Sequence, residues 1–120
     1  MKIYVAHSSS FDYMQELYAP LRNSELNAQH MIFLPHETDA RMNTKEAIEK
    51  SDLVIAEVSY PSTGEGIELG WADGFHKPIL CVHKAGMEPS NSLKVISNTI
   101  LAYSDAADLI SKIEDYLSHA

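Results

Sequence analysis

A chain of 120 residues with 17 acidic against 9 basic side chains, for a formal charge of -8, is long enough to bury one core and too short for two domains. That charge opposes binding to a nucleic-acid polymer or an anionic membrane, and 45% hydrophobic residues with few aromatics describe an ordinary globular domain over residues 1–120. With no apolar run of membrane length, no basic-then-apolar leader, and a single cysteine, Cys81, set in an apolar run, the expectation is a reducing, cytoplasmic setting without disulfides.

Residues 2–6, Lys-Ile-Tyr-Val-Ala, are β-branched and aromatic and predict a first, central strand. The polar loop His7, Ser8, Ser9, Ser10 follows, with hydroxyls and N–H groups suited to capping the next helix or holding a ligand. From residue 12 to about 22, Met14, Leu17, Tyr18 and Leu21 fall at helical spacing, and Pro20 predicts a kink or an early end. Residues 31–34 predict a short buried strand that runs into the polar cluster Pro35, His36, Glu37, Thr38, Asp39. The spacing in that cluster matches no ligand motif, so no metal is expected. Asn43 or Thr44 caps a short helix through Ala47 and Ile48. Residues 53–56, an apolar run backed by Glu57 and Val58, then predict a strand buried on both faces.

The stretch 61–70, Pro-Ser-Thr-Gly-Glu-Gly-Ile-Glu-Leu-Gly, follows that strand. Pro61 fixes one backbone angle, while Gly64 and Gly66 allow positive φ and bring bare backbone towards whatever lies above the strand end. A helix opening at about Gly66 turns its unpaired N–H groups on the same point, with Glu68 in its first turn. Ser62 and Glu65 also match a capping box, Glu68 complements the helix dipole, and Gly70 suits close helix packing, so residue types alone leave ligand binding and capping both open.

Residues 78–82 predict a fourth strand with Pro78 at its start, 86–92 a loop, 93–96 a helical turn and 99–103 a fifth strand. Ser104 caps a last helix with Leu109, Ile110, Ile113 and Leu117 inward. This alternation predicts an α/β fold: a single Rossmann-like (flavodoxin-like) domain, its five-stranded parallel sheet in the order 2-1-3-4-5 with helices on both faces. The ligand is expected where strand order reverses, between strands one and three, with the loops at 7–10, 36–39 and 61–66 around it.

Asp-Leu-Val-Ile-Ala-Glu-Val-Ser at 52–59, the stretch 61–70 and Lys-Pro-Ile-Leu-Cys at 77–81, supported by Ile-Tyr-Val-Ala at 3–6, resemble the nucleoside 2-deoxyribosyltransferase family, including its deoxynucleoside monophosphate N-glycosidase branch. The resemblance implies a small-molecule nucleoside or nucleotide substrate, no cofactor, and cleavage or transfer of the N-glycosidic bond through a glycosyl-glutamate. Carried over by position, Glu68 is the nucleophile, Tyr4 the tyrosine that hydrogen-bonds it and Ser62 a contact of the 5'-phosphate. Ser92 matches the serine by which a neighbouring subunit closes the site, which implies a homodimer. Ser8, Ser9, Ser10, Gly64 and Gly66 complete the expected substrate contacts, and His36 or Asp39 is placed by predicted proximity to protonate the leaving base. Three positions depart from the family pattern. Thr44 stands where the monophosphate-cleaving branch has an aspartate that holds the sugar, Ser10 where it has an arginine, and no aspartate lies near Ser62, where transferases orient the base. The competing reading is a nucleotide-binding or sensing module of the same fold that has lost efficient catalysis.

Overall fold

The structure, a computed structural model, describes residues 1–38 and 43–119. Its strands are β1 (Lys2–His7), β2 (Met31–Phe33), β3 (Leu53–Glu57), β4 (Ile79–Lys84) and β5 (Thr99–Tyr103), all parallel, in the order β2-β1-β3-β4-β5. Between them lie α1 (Ala19–Arg22), entered through a π-helical turn at Met14–Tyr18, then α2 (Glu25–Gln29), α3 (Thr44–Glu49), α4 (Thr63–Gly74), a 3-10 turn at Asn91–Val95, and α5 (Ala106–Ser118). The expected fold and strand order are therefore borne out.

Side chains alternate across a strand, and the two faces of this sheet carry separate cores. Ile3, Val5, Ile55, Leu80 and Val82 face one way and pack with Leu17 and Leu21 from the first helical segment and Leu109 and Ile113 from α5. Tyr4, Ala6, Val54, Ala56 and Cys81 face the other way and pack with Ile48 of α3 and with Leu69 and Ala72 of α4. The alternation decides what each polar residue of β1 can reach. Tyr4 looks towards α3 and α4, whereas His7, three positions on, belongs with the first helical segment.

Several local expectations need correction. The helix expected from residue 12 widens into a π turn, with Ala19 N–H bonding back to the Met14 carbonyl, because Pro20 has no N–H to give and its ring crowds the carbonyl four residues before it. The short helix α2 was not expected from the pattern. The helix α4 opens at Thr63 rather than Gly66, with Ser62 as the N-cap, so Gly64 and Gly66 lie inside the first turn. Positive φ is found at His76 and Gly86 instead, and a Cβ at Gly66 or Gly70 would meet nothing within 4 Å, so Gly70 is not a close-packing glycine within the chain. Finally, Asp105, not Ser104, caps α5, its side chain accepting from Asp108 N–H. Asn43 rather than Thr44 caps α3, as one of the two expected alternatives.

Candidate active site

Beneath the β1 and β3 strand ends, Tyr4 and Glu68 meet. The Tyr4 hydroxyl donates to Glu68 Oε2 at 2.7 Å, and Tyr4 is fully buried. In register, Tyr4 pairs with Phe33, the last residue of β2, so the loop that leaves β2 towards His36 starts beside Tyr4. Burial pushes the Glu68 carboxyl above the usual carboxylate range, while hydrogen bonding by Tyr4 and Thr44 and the charge of His36 pull it part of the way back. Glu68 stands in the second turn of α4 rather than in the expected first, past the strongest part of the dipole. Burial likewise raises the Tyr4 phenol far above its ordinary value, with the Glu68 charge adding to the effect. Tyr4 is therefore a proton donor locked in its neutral form.

A second polar cluster sits at the end of β1, on the opposite face of the sheet. His7 Nδ1 lies 2.7 Å from the Ser8 carbonyl, which can only accept, so Nδ1 carries the proton. Nε2 is then the acceptor for the Tyr18 hydroxyl at 2.6 Å, and that same hydroxyl accepts from His36 N–H at 3.0 Å. Burial lowers the His7 pKa, which agrees with a neutral ring. Around it stand Tyr13 and His36, with ring centroids 4.5 Å and 5.6 Å from His7, and Phe11 stacks on Tyr60 at 5.4 Å with Lys84 over both rings. This aromatic wall ties the loop after β1 to the loops after β2 and β3.

Two further carboxyl groups are buried nearby. Glu57, at the end of β3, accepts from Ser59 N–H at 2.7 Å, from the Ser59 hydroxyl at 2.9 Å and from the Tyr103 hydroxyl, which accounts for both of its oxygens. Asp52, an exposed residue of the matching stretch at the other end of β3, accepts from Lys2 N–H at 2.7 Å and ties the start of that strand to β1. Glu65 is different. Its backbone N–H takes the Ser62 hydroxyl oxygen at 3.3 Å, which is the first half of the expected capping box. Its side chain does not complete the box: the residue is 5% exposed and Oε2 is buried without a hydrogen-bond partner.

The structure joins Tyr4 and Thr44 to Glu68 by hydrogen bonds, keeps His36 with the His7 cluster but near enough to act on Glu68 through its charge, and sets the remaining expected residues around them unevenly. Ser8 is buried and its hydroxyl oxygen accepts from Ser10 N–H at 3.0 Å, while Ser9 and Ser10 are exposed at the loop tip. Ser62, half-buried, is the N-cap of α4, with Gly64 and Gly66 exposed in the turn behind it. Ser92 lines a cavity of about 270 Å³ between α4 and residues 58–62 and 88–93, together with Glu65, and Glu68 does not line it. Asp39 lies outside the described residues. No cluster of His, Cys, Asp and Glu suited to a metal ion occurs among the described residues. The sequence reading missed Thr44 as a partner of Glu68, the Tyr18 bridge and the aromatic wall. Phe11 and Tyr13, directly after a polar loop, were the available signal for that wall.

No protein-family model matches the chain. Among curated proteins it is 35% identical over 74 residues to a 2'-deoxynucleoside 5'-phosphate N-hydrolase of Syntrophotalea carbinolica, a match covering 59% of this chain and 52% of that protein. A protein of the same name from Methanosarcina mazei is 32% identical over 91 residues, covering 68% and 56%. The human 5-hydroxymethyl-dUMP N-hydrolase is 45% identical over 51 residues, covering 42% and 26%. The matches thus span about half the length of the first two relatives and less of the human protein. Among solved structures, a CMP N-glycosidase of Clostridium botulinum superposes with a TM-score of 0.70 at 18% identity, covering 95% of this chain and 99% of that one. The 2-deoxyribosyltransferase of Bacillus psychrosaccharolyticus superposes at 0.62 with 20% identity, covering 91% and 90%. The likeness to the nucleoside 2-deoxyribosyltransferase family and its monophosphate-cleaving branch is borne out in sequence by the named relatives, and the fold by the superpositions.

Proposed function

From that kinship we propose that the chain is an enzyme that breaks or transfers the N-glycosidic bond of a nucleoside or nucleoside 5'-monophosphate, with Glu68 as its nucleophile. The observation that carries the reading is the Tyr4–Glu68 hydrogen bond, made beneath the point of the sheet where strand order reverses. A Glu68 oxygen forms a bond to C1', the C1'–N bond breaks, and its electron pair leaves with the base, which takes a proton from His36 or Asp39. Water or a second base then attacks C1' and returns Glu68 to its carboxylate. Tyr4 holds one carboxylate oxygen and fixes the rotamer, so little ordering remains to be done when the sugar arrives. Thr44, in place of an aspartate, offers a neutral hydroxyl to the same carboxylate rather than a second negative charge.

The loop at Ser8, Ser9 and Ser10 and the cap at Ser62, followed by the open turn at Gly64 and Gly66, form the proposed binding surface for the sugar and its 5'-group. A second copy of the chain is proposed to bring Ser92 to the site. Chromatography of free base from a panel of nucleosides and 5'-monophosphates, incubated for days with the protein and with Glu68→Ala, tests the reading. Base released by the wild type and lost in the variant is the expected result. Release that survives the substitution would remove Glu68 from the reaction, and no release from any substrate would favour a binding module.

A further inference from the structure

Tyr18 is a buried residue that the proposed reaction does not use, and it links two histidines at the strand ends. It is 2% exposed, and its hydroxyl donates to His7 Nε2 at 2.6 Å and accepts from His36 N–H at 3.0 Å. The direction of this chain is set from one end. With the His7 proton on Nδ1, facing the Ser8 carbonyl at 2.7 Å, Nε2 can only accept. The phenolic proton is therefore committed to His7, and the oxygen turns a free lone pair towards His36 N–H. Without that acceptor the hydroxyl would rotate, and in some orientations its proton would face the His36 N–H. His36 itself is exposed, on a turn closed by Glu37 N–H to the Leu34 carbonyl at 3.2 Å. Arg22 also grips this turn through both oxygens of Glu37, but those side chains are 31% and 36% exposed, and pairs so open to water hold little. The buried Tyr18 bond is the firmer tie on the His36 backbone.

We propose that Tyr18, oriented by His7, is a positioning residue: its hydroxyl holds the backbone of His36 so that the imidazole stays within reach of the leaving base, which selects His36 rather than Asp39 as the group that protonates it. The His36 ring is shared between the two clusters. Its centroid lies 5.6 Å from that of His7 and 6.0 Å from that of Tyr13, while its charge acts on Glu68. A proton donor works only within hydrogen-bond reach of the atom it serves, and a displacement on the order of 1 Å costs up to about a hundredfold in rate. The proton passes from His36 to the base nitrogen that receives the C1'–N electron pair. Tyr18 keeps its own proton on the His7 side, because burial holds the phenol well above its ordinary pKa. The catalytic role of His36 rests on the proposed activity; the anchor itself rests on the three hydrogen bonds.

Backbone amide exchange and release of free base, both measured on the intact protein, test the proposal together. Tyr18→Phe removes the acceptor of His36 N–H and keeps the ring, so the His36 amide should exchange at least about tenfold faster while the core amides of Val54 and Ile55 keep their protection. His7→Gln offers Tyr18 an amide oxygen near the place of Nε2 and should leave the His36 amide protected, whereas His7→Leu should not. With whichever nucleoside or 5'-monophosphate the wild type cleaves, Tyr18→Phe should lower kcat about tenfold or more and leave KM within about twofold. In a His36→Ala background the same substitution should cost less than about twofold, and in an Asp39→Asn background it should keep its full cost. Equal costs with and without His36, an unprotected His36 amide in the wild type, or a protected one in Tyr18→Phe would each overturn the positioning role. The two readouts fail separately. No release from any substrate, with the His36 amide responding to Tyr18→Phe, sinks the proposed activity and leaves the anchor, and Glu68-dependent release indifferent to Tyr18→Phe sinks the positioning role alone.

Discussion

The Tyr4 hydroxyl reaches Glu68 Oε2 at 2.7 Å across 64 residues of sequence, joining the middle of β1 to the second turn of α4. The bond stabilises the ionised carboxylate and opposes the burial that disfavours it. Tyr4→Phe should therefore raise the Glu68 pKa further. In the proposed reaction the acid limb of the kcat/KM profile should move to higher pH, and the rate at neutral pH should fall by about 1.5 to 3 kcal/mol of barrier, roughly ten- to a hundredfold. An unchanged acid limb, measured from pH 4 to 8, would show that Tyr4 does not tune this group.

Glu68→Gln separates chemistry from stability. Loss of the nucleophile should cost at least about a thousandfold in base release, or roughly 4 kcal/mol. Stability should not follow. Because the folded pKa lies above the unfolded value, the wild type becomes less stable relative to the glutamine variant as pH rises past the unfolded pKa. Thermal melts at pH 8 should place the variant level with the wild type or above it, and a large loss of stability would mean that Glu68 is mainly structural.

A similar linkage, larger in size, applies to Glu65. Its carboxyl is raised from 4.5 to about 8, so the unfolded chain loses this proton first and the native state keeps it. Stability is therefore drained between about pH 4.5 and pH 8 and is level above that, by a few kcal/mol at most. Glu65→Gln should gain this amount over the wild type at pH 9 and gain little at pH 4. Parallel urea midpoints for the two proteins at those pH values measure it, and a constant difference would contradict the assigned shift.

The fold was legible because its signals are periodic and redundant. Apolar runs such as 53–56 and 78–82, separated by helical spacing, leave few arrangements other than a doubly wound parallel sheet, and the observed order follows. The Tyr4–Glu68 pairing was legible only through resemblance, since nothing in either local segment names its partner. Glu65 shows where local reading fails. Ser62 followed by Glu65 reads as a capping box, and the backbone half forms, but the inner face of α4 lies against β4 and takes the carboxylate inward instead. The π turn at Met14–Tyr18 was hidden for a related reason: Pro20 announces a disturbance without specifying whether the helix ends, kinks or widens.

Assembly is the last expectation, and α4 supplies a handle on it. Gly66, Gly70 and Gly74 recur every fourth residue on an exposed face, and a Cβ added at any of them would meet nothing within 4 Å, with Ile67 beside them half exposed at 50%. Four-residue spacing stacks these positions on one side of the helix, so they form a bare strip along which another backbone can approach. Within the single chain no neighbour closes on Gly70 or Gly74, while Gly66 at the head of the strip borders the cavity beside Ser62. If the proposed second copy docks there, Gly70→Leu should block it through bulk alone. The monomer has room for the side chain, and replacing a helical glycine should stabilise it by roughly 0.5 to 1 kcal/mol. Sedimentation at micromolar concentration should show a dimer for the wild type and a monomer for Gly70→Leu, with the variant's melt equal or higher once extrapolated to low concentration. Base release should fall with dimer content if Ser92 acts across the interface, and Ser92→Ala should lower it without changing the sedimentation. A wild-type monomer would remove the expected homodimer. A Gly70→Leu dimer would leave the homodimer standing and move its interface off α4.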